Sequence, residues 1–185
     1  MVAKDTPVCE FGWKAPDFDL PGVDGRRHRL ADERGANGTL VMFICNHCPY
    51  VKAVLERIVR DTRELAGHGV ASIAIMSNDP RAYAEDSFDN MGRVAREKGF
   101  LFPYLFDETQ AVAKAYSAAC TPDFFGFNAD LELQYRGRLD ESRMEAVPGA
   151  RRELYEAMVR IADTGAGPEE QVASIGCSIK WKDGA

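Results

Sequence analysis

Basic charge, long apolar runs and a second cysteine pair are what this 185-residue sequence is short of, and each shortage removes a class of function. Acidic residues outnumber basic ones, 29 to 23, giving a formal net charge of -6. A general nucleic-acid binder needs clustered Lys and Arg to neutralise phosphates. The densest basic run, Gly25 to Arg29, is too short for that and reads as a solvated loop. No stretch approaches the ~18 consecutive apolar residues of a membrane span. The amino terminus "MVAKDTPVCEFGWKAPDF" has no apolar h-region of a secretory signal, so a cytoplasmic protein without membrane attachment is expected. Repeats and low-complexity tracts are absent as well. The remaining composition, 45% hydrophobic and 28% charged, is that of an ordinary soluble globular chain, and the length suits one domain over residues 1–185.

Five cysteines are present, an odd number that does not suit a secreted disulfide framework. Only Cys45 and Cys48 form a Cys-x-x-Cys pair, in "FICNHCPY"; Cys9, Cys120 and Cys177 are isolated. Structural zinc asks for two such pairs, or one pair with two spaced histidines. His28 and His68 show no ligand spacing, so no metal site is expected.

The pair follows "TLVMFI" (Thr39 to Ile44), an apolar run without polar alternation that predicts a central strand covered on both faces. Beyond it Val51, Val54, Leu55, Ile58 and Leu65 recur at helical spacing, and a second buried strand is predicted over Val70 to Met76. A helix from about Tyr83 to Lys98 follows, with Asp79 or Asp86 as candidate caps and Gly99 as its stop. Then come a short strand at Tyr104 to Phe106, a small helix in "ETQAVAKAYS", a hairpin of Phe124 to Phe127 with Glu132 to Arg136, and a last helix from Pro148 to Ile161. The class is α/β, a mixed sheet with helices on both faces.

At a strand-to-helix junction a Cys-x-x-Cys has a mechanism available. N–H groups and the helix dipole favour a thiolate at the helix start, which is the reactive form. That points to Cys45 as the nucleophile, with Cys48 one turn into the helix as the shielded thiol that resolves the mixed disulfide. Pro49 fits a first helical turn, where its missing N–H has no partner to lose. His47 lies between the two thiols; oriented toward Cys45 it would stabilise the thiolate and make the couple more oxidising.

Several segments resemble a known family. "WKAPDFDLPGVDGRRHRLAD", "FICNHCPYVKA", "SNDPRAYAEDSFDNM", "FPYLFDETQAVAKAYSAACTPDFFGF" and "SIGCSIKWK" are similar to the peroxiredoxin-like (AhpC/TSA, redoxin) group of the thioredoxin superfamily. The resemblance implies a thioredoxin-like fold with an N-terminal β-extension over residues 1–38 and a C-terminal tail over 165–185. It also implies that Pro122 is a cis-proline facing the cysteines, with the backbone of Thr121 open to pair with an extended substrate. Two features depart from the better-known relatives. Peroxiredoxins carry their attacking cysteine in Pro-x-x-x-Thr-x-x-Cys; counted from Cys48 those places hold Val41 and Cys45, and from Cys45 they hold Gly38 and Met42. Arg136 or Arg138 remains a candidate positive charge for peroxide. Thioredoxin's buried acid also has no counterpart in "TLVMFI", so a residue from elsewhere, or water, must move the proton.

The expectation is a thiol–disulfide oxidoreductase with Cys45, Cys48 and His47 as catalytic residues and Thr121 and Pro122 as the substrate platform. It requires no cofactor and takes protein or small-molecule thiols and disulfides as partners. A thiol-dependent peroxidase and a non-catalytic redox-sensing module are the alternatives. Cys120 and Cys177 read either as packed side chains or, for Cys120, as a residue facing the site and, for Cys177, as a resolving thiol in a tail that folds back.

Overall fold

The computed structural model describes residues 3–81 and 83–182. Its N-terminal part is made of short pieces: β1 (Ala3–Asp5), β2 (Asp19–Pro21), β3 (Arg27–Arg29) and a single helical turn, α1 (Leu30–Glu33). β2 and β3 form an antiparallel hairpin, so the basic run is half strand and not simply a solvated loop. Alternation along β3 explains the difference. Arg27 and Arg29 point outward to Asp19, at 2.7 and 3.2 Å, while His28 points inward and is held between Asp24 and Glu33.

The centre of the molecule continues through β4 (Gly38–Phe43), α2 (Pro49–Ala66), β5 (Val70–Met76), a 3₁₀ turn (Ala84–Asp86), α3 (Phe88–Lys98), β6 (Tyr104–Phe106) and α4 (Ala111–Ala115). It ends with β7 (Cys120–Thr121), β8 (Asp123–Asn128), β9 (Leu133–Tyr135), α5 (Glu153–Thr164) and β10 (Ile175–Ser178). Five strands make the main sheet, in the order β6-β5-β4-β8-β9. β4 pairs parallel with β5 and antiparallel with β8, which makes the sheet mixed.

β4 has no polar face because both of its faces are covered. Leu40 and Met42 pack with Val54, Ile58, Met91, Met158 and Ile161 from α2, α3 and α5. Val41 and Phe43, pointing the other way, pack with Phe18, Leu20 and Leu30 from the N-terminal part and with Ala113 and Tyr116 at α4. Strand alternation thus divides one apolar run between two cores.

Three boundaries differ from the sequence reading. α3 starts at Phe88, capped by the Ser87 hydroxyl, which accepts from Asn90 N. Asp86 is not its cap but turns inward, and Gly99 ends the helix in the left-handed region as expected. α5 starts at Glu153 and not at Pro148, because Gly149 lies at φ 74°, outside helical geometry. Third, the C-terminal segment returns as a strand: β10 lies between β1 and β7 in a separate three-stranded sheet. Among the described residues, no helix is long and apolar enough to cross a membrane.

Candidate active site

The chain leaves β4 at Phe43 and enters α2 at Pro49, so Cys45, Asn46, His47 and Cys48 form the link between strand and helix. Proline occupies the first turn as expected. The helix nevertheless begins later than the sequence reading placed it. Cys48 is its N-cap, not a residue one turn inside, and the Cys48 carbonyl accepts from Lys52 N at 3.0 Å. The helix-terminus argument for a thiolate therefore belongs to Cys48.

The electrostatics follow that placement. The Cys48 thiol is pulled down to about 5, chiefly because the Cys45 thiol donates to its sulfur; burial opposes this, and Cys177 and the N–H groups of Val51 and Cys177 add to it. When protonated, Cys48 instead donates to the Thr121 carbonyl, 3.1 Å away. Cys45 is pushed well above the ordinary thiol value, first by burial, then by lending its proton to Cys48 and by the charge of Asp86. Its Sγ lies 3.2 Å from the Thr121 hydroxyl and 3.6 Å from His47 Nδ1. The pair is thus one thiolate and one thiol sharing a hydrogen bond, with the charge on the second cysteine.

His47 faces inward, stacked on Tyr83 with ring centroids 3.8 Å apart. Its Nδ1 lies 2.6 Å from Asp86 Oδ2, closer than it lies to Cys45. Asp86 is fully buried; burial opposes its ionisation, yet hydrogen bonds from His47, Asn78 and Asn46 N hold its carboxyl below the ordinary value. This acid, 39 residues beyond His47, stands where the acid-free strand β4 offers none. Cys45, His47 and Asp86 offer ligand atoms within 4.8 Å of one another, a donor set of the kind that binds zinc. Spacing in the sequence hid this trio, and the 2.6 Å hydrogen-bonded pair would have to part before both members could bind an ion.

Thr121 and Pro122, expected as a substrate platform, lie beside the cysteines. The Thr121–Pro122 peptide is cis. The backbone of Thr121 is not open, however, because β10 pairs with it, Cys177 opposite Thr121. What Thr121 gives the cysteines is its hydroxyl and its carbonyl. Pro122 borders a cleft of about 210 Å³ with Tyr50, Val54, Phe124 and Ser174. On the other side, Cys45 lines an apolar cavity of about 120 Å³ with Val51, Leu55, Val94 and Phe100.

The tail brings in a residue that the sequence left undecided. Cys177 Sγ lies 2.8 Å from Cys48 Sγ. Cys120 does not join them; its Sγ contacts the Pro122 carbonyl at 3.5 Å, and burial raises its thiol far above the usual range. The two candidate arginines also lie elsewhere. Arg136 pairs with Asp123 at 3.0 Å and rests on Phe125, and Arg138 pairs with Glu153 at 2.6 Å. Asn78 and Asp86 lie in "SNDPRAYAEDSFDNM", one of the segments that resemble the family, but the sequence offers Asp86 only as a candidate helix cap and gives Asn78 no role.

Comparison with known proteins gives this site a setting. An uncharacterized conserved protein from Geobacillus kaustophilus is 48% identical, with a TM-score of 0.94 over 100% of this chain and 99% of that one. A hypothetical protein from Sinorhizobium meliloti 1021 is 37% identical, with a TM-score of 0.91 over 97% and 99%. Structures of thioredoxins and thiol:disulfide interchange proteins, at 23% identity or less, share the thioredoxin-like α/β fold. The thiol-disulfide oxidoreductase ResA of Geobacillus thermodenitrificans is 28% identical over 114 residues, 62% of this chain; the match spans 61% of that protein's length. The model of the AhpC/TSA family matches residues 11–136, which include β2 to β9, both cysteines of the motif, His47, Asp86 and the cis-proline, and this chain belongs to that family.

Proposed function

We propose that the protein is a thiol–disulfide oxidoreductase that works through the Cys45–Cys48 couple. The observation that supports this most directly is the placement of both cysteines in the link between β4 and α2, with Cys48 at the helix N-cap and the Thr121 hydroxyl and carbonyl against Cys45 Sγ and Cys48 Sγ. The similarity to proteins named thiol-disulfide oxidoreductase ResA supports the same reading.

In the oxidised protein the disulfide joins Cys45 to Cys48. A substrate thiolate entering at the Cys45 cavity attacks Cys45 Sγ, and the bond to Cys48 breaks. Cys48 leaves as the thiolate that α2 and the neighbouring donors stabilise, and a low-pKa thiol is the better leaving group. A second substrate thiolate attacks the mixed disulfide, forms the substrate disulfide and releases Cys45, which takes up a proton. In the reverse direction Cys45 passes its proton to the Cys48 thiolate and attacks a substrate disulfide, whose S–S bond breaks to release one substrate thiolate; Cys48 then loses its proton and attacks Cys45 Sγ of the adduct, forming the Cys45–Cys48 bond and releasing the second substrate thiolate. Stabilising the Cys48 thiolate favours the dithiol form and makes the couple oxidising.

In this reading His47 and Asp86 are positioning residues. The His47–Asp86 hydrogen bond fixes the imidazole beside Cys45 Sγ. The cycle needs no bound cofactor, and its partners are protein or small-molecule thiols and disulfides, with Thr121 and Pro122 beside their approach.

The test is catalysed reduction of insulin disulfides by dithiothreitol. The wild type should accelerate it, and Cys45→Ser and Cys48→Ser should each lose that acceleration; an unchanged rate in either variant would contradict the assignment. Rapid consumption of hydrogen peroxide, far faster than by ordinary thiols, would instead favour a peroxidase.

A further inference from the structure

We propose that Cys177 is a third redox cysteine of this site: it accepts the disulfide from Cys45 by attacking Cys48, producing a Cys48–Cys177 bond that ties β10 across the Thr121 edge. The proposal extends the Cys45–Cys48 reading to the C-terminal strand.

The geometry carries it. Cys48 Sγ lies 3.1 Å from the Thr121 carbonyl oxygen and 2.8 Å from Cys177 Sγ. Cys177 is 1% exposed, so its sulfur faces the site and not solvent. Its position is fixed from both sides. Upstream, the Ser174 hydroxyl donates to the Pro122 carbonyl at 2.8 Å and Thr6 N donates to the Ser174 carbonyl at 2.9 Å. Downstream, Lys180 N donates to Asn78 Oδ1 at 2.9 Å, and the Lys180 carbonyl accepts from Asp79 N and from the Gln110 side chain, both at 2.8 Å. Asn78 is also a donor to Asp86. The strand bearing Cys177 is thereby tied to both the cis-proline loop and the His47–Asp86 pair.

Between these anchors the strand lies against the substrate edge. Cys177 pairs with Thr121 and Ser178 with Cys120, antiparallel, as an extended peptide bound at that edge would. Gly176 permits the approach, since a Cβ there would run into the Thr121 carbonyl. β10 thus occupies the place of a bound substrate and presents a cysteine to the couple.

The exchange balances without an outside oxidant. Cys177 gives up its proton and attacks Cys48 Sγ of the Cys45–Cys48 disulfide. The Cys48–Cys177 bond forms, the Cys45–Cys48 bond breaks, and Cys45 leaves as a thiolate and takes up a proton. One disulfide is consumed and one is made. Burial raises the Cys177 thiol above its ordinary value, so the exchange should accelerate as pH is raised and more of the thiol ionises.

The test oxidises the full chain with excess oxidised glutathione, quenches in acid, alkylates and maps tryptic peptides by mass spectrometry. Cys45 and Cys48 share the peptide between Arg34 and Lys52, whereas Cys177 lies on that between Arg160 and Lys180. A Cys45–Cys48 bond is therefore a loss of two hydrogens within one peptide, and a Cys48–Cys177 bond joins two. The wild type should give both forms, with the joined peptides rising as pH is raised. Cys45→Ser should give joined peptides alone, through a glutathione adduct on Cys48 that Cys177 resolves. Cys48→Ser should give none, and Cys177→Ser and Cys177→Ala should give only the internal bond. Cys45→Ser with native circular dichroism that keeps glutathione on Cys48 and leaves Cys177 alkylated would overturn the proposal. So would a wild type that forms only the internal bond at every pH. Failure of the underlying reading looks different: no internal bond forms in the wild type or in the Cys177 variants.

Discussion

Cys48 carries the charge of this site, and the reason is local: it caps α2, and the Cys45 thiol donates to it. In the reduced protein the thiolate absorbance should therefore titrate near pH 5, a transition that Cys48→Ser abolishes. Cys45→Ala should move it upward, because the largest stabilising contact is gone; a midpoint unmoved by that change would mean that the helix terminus alone lowers it. The sign has a consequence for stability. A thiol whose pKa is depressed by folding contributes stability above its unfolded value, and that contribution is lost as pH falls toward about 5. Pro122 as a cis-proline was legible only through the family resemblance, whereas both cysteines and His47 were legible because they share one short motif. Asp86 was not. Its role depends on a 3₁₀ turn that aims it at His47, and an acid ahead of a helix reads equally well as a cap.

At the scale of elements, the sequence read best where one local pattern decides the structure. The apolar run of β4, the amphipathic α2 and the left-handed glycine after α3 all follow from nearest-neighbour physics. β10 does not. It is four residues long and owes its place to β1 and to the two-residue β7, whose Ala3 and Thr121 lie 174 and 56 positions before their partner Cys177, beyond the reach of local propensity. The close approach at Gly176 is its weakest point. Gly176→Ala should cost about 1–3 kcal/mol of stability, as overpacking against a fixed carbonyl does. It should also speed alkylation of Cys48, because β10 covers that sulfur. Urea unfolding and timed iodoacetamide labelling measure the two effects; an alanine variant with unchanged stability and unchanged labelling would mean that β10 does not hold the edge.

For the whole molecule, the arrangement is a thioredoxin-like sheet whose central strand delivers two thiols to a place closed over by the chain's own C-terminal strand. Covering both faces of β4 fixes the end of that strand, and with it the spacing of Cys45 from Thr121. The formal net charge of -6 disfavours polyanionic partners. The most direct measurement is a titration of the wild-type protein against buffers of reduced and oxidised glutathione, with the Cys45–Cys48 disulfide quantified by mass. The account predicts a single reversible two-electron transition at a potential well above that of thioredoxin, about -270 mV. A protein whose Cys45 and Cys48 stay unlinked across the whole glutathione range would contradict it.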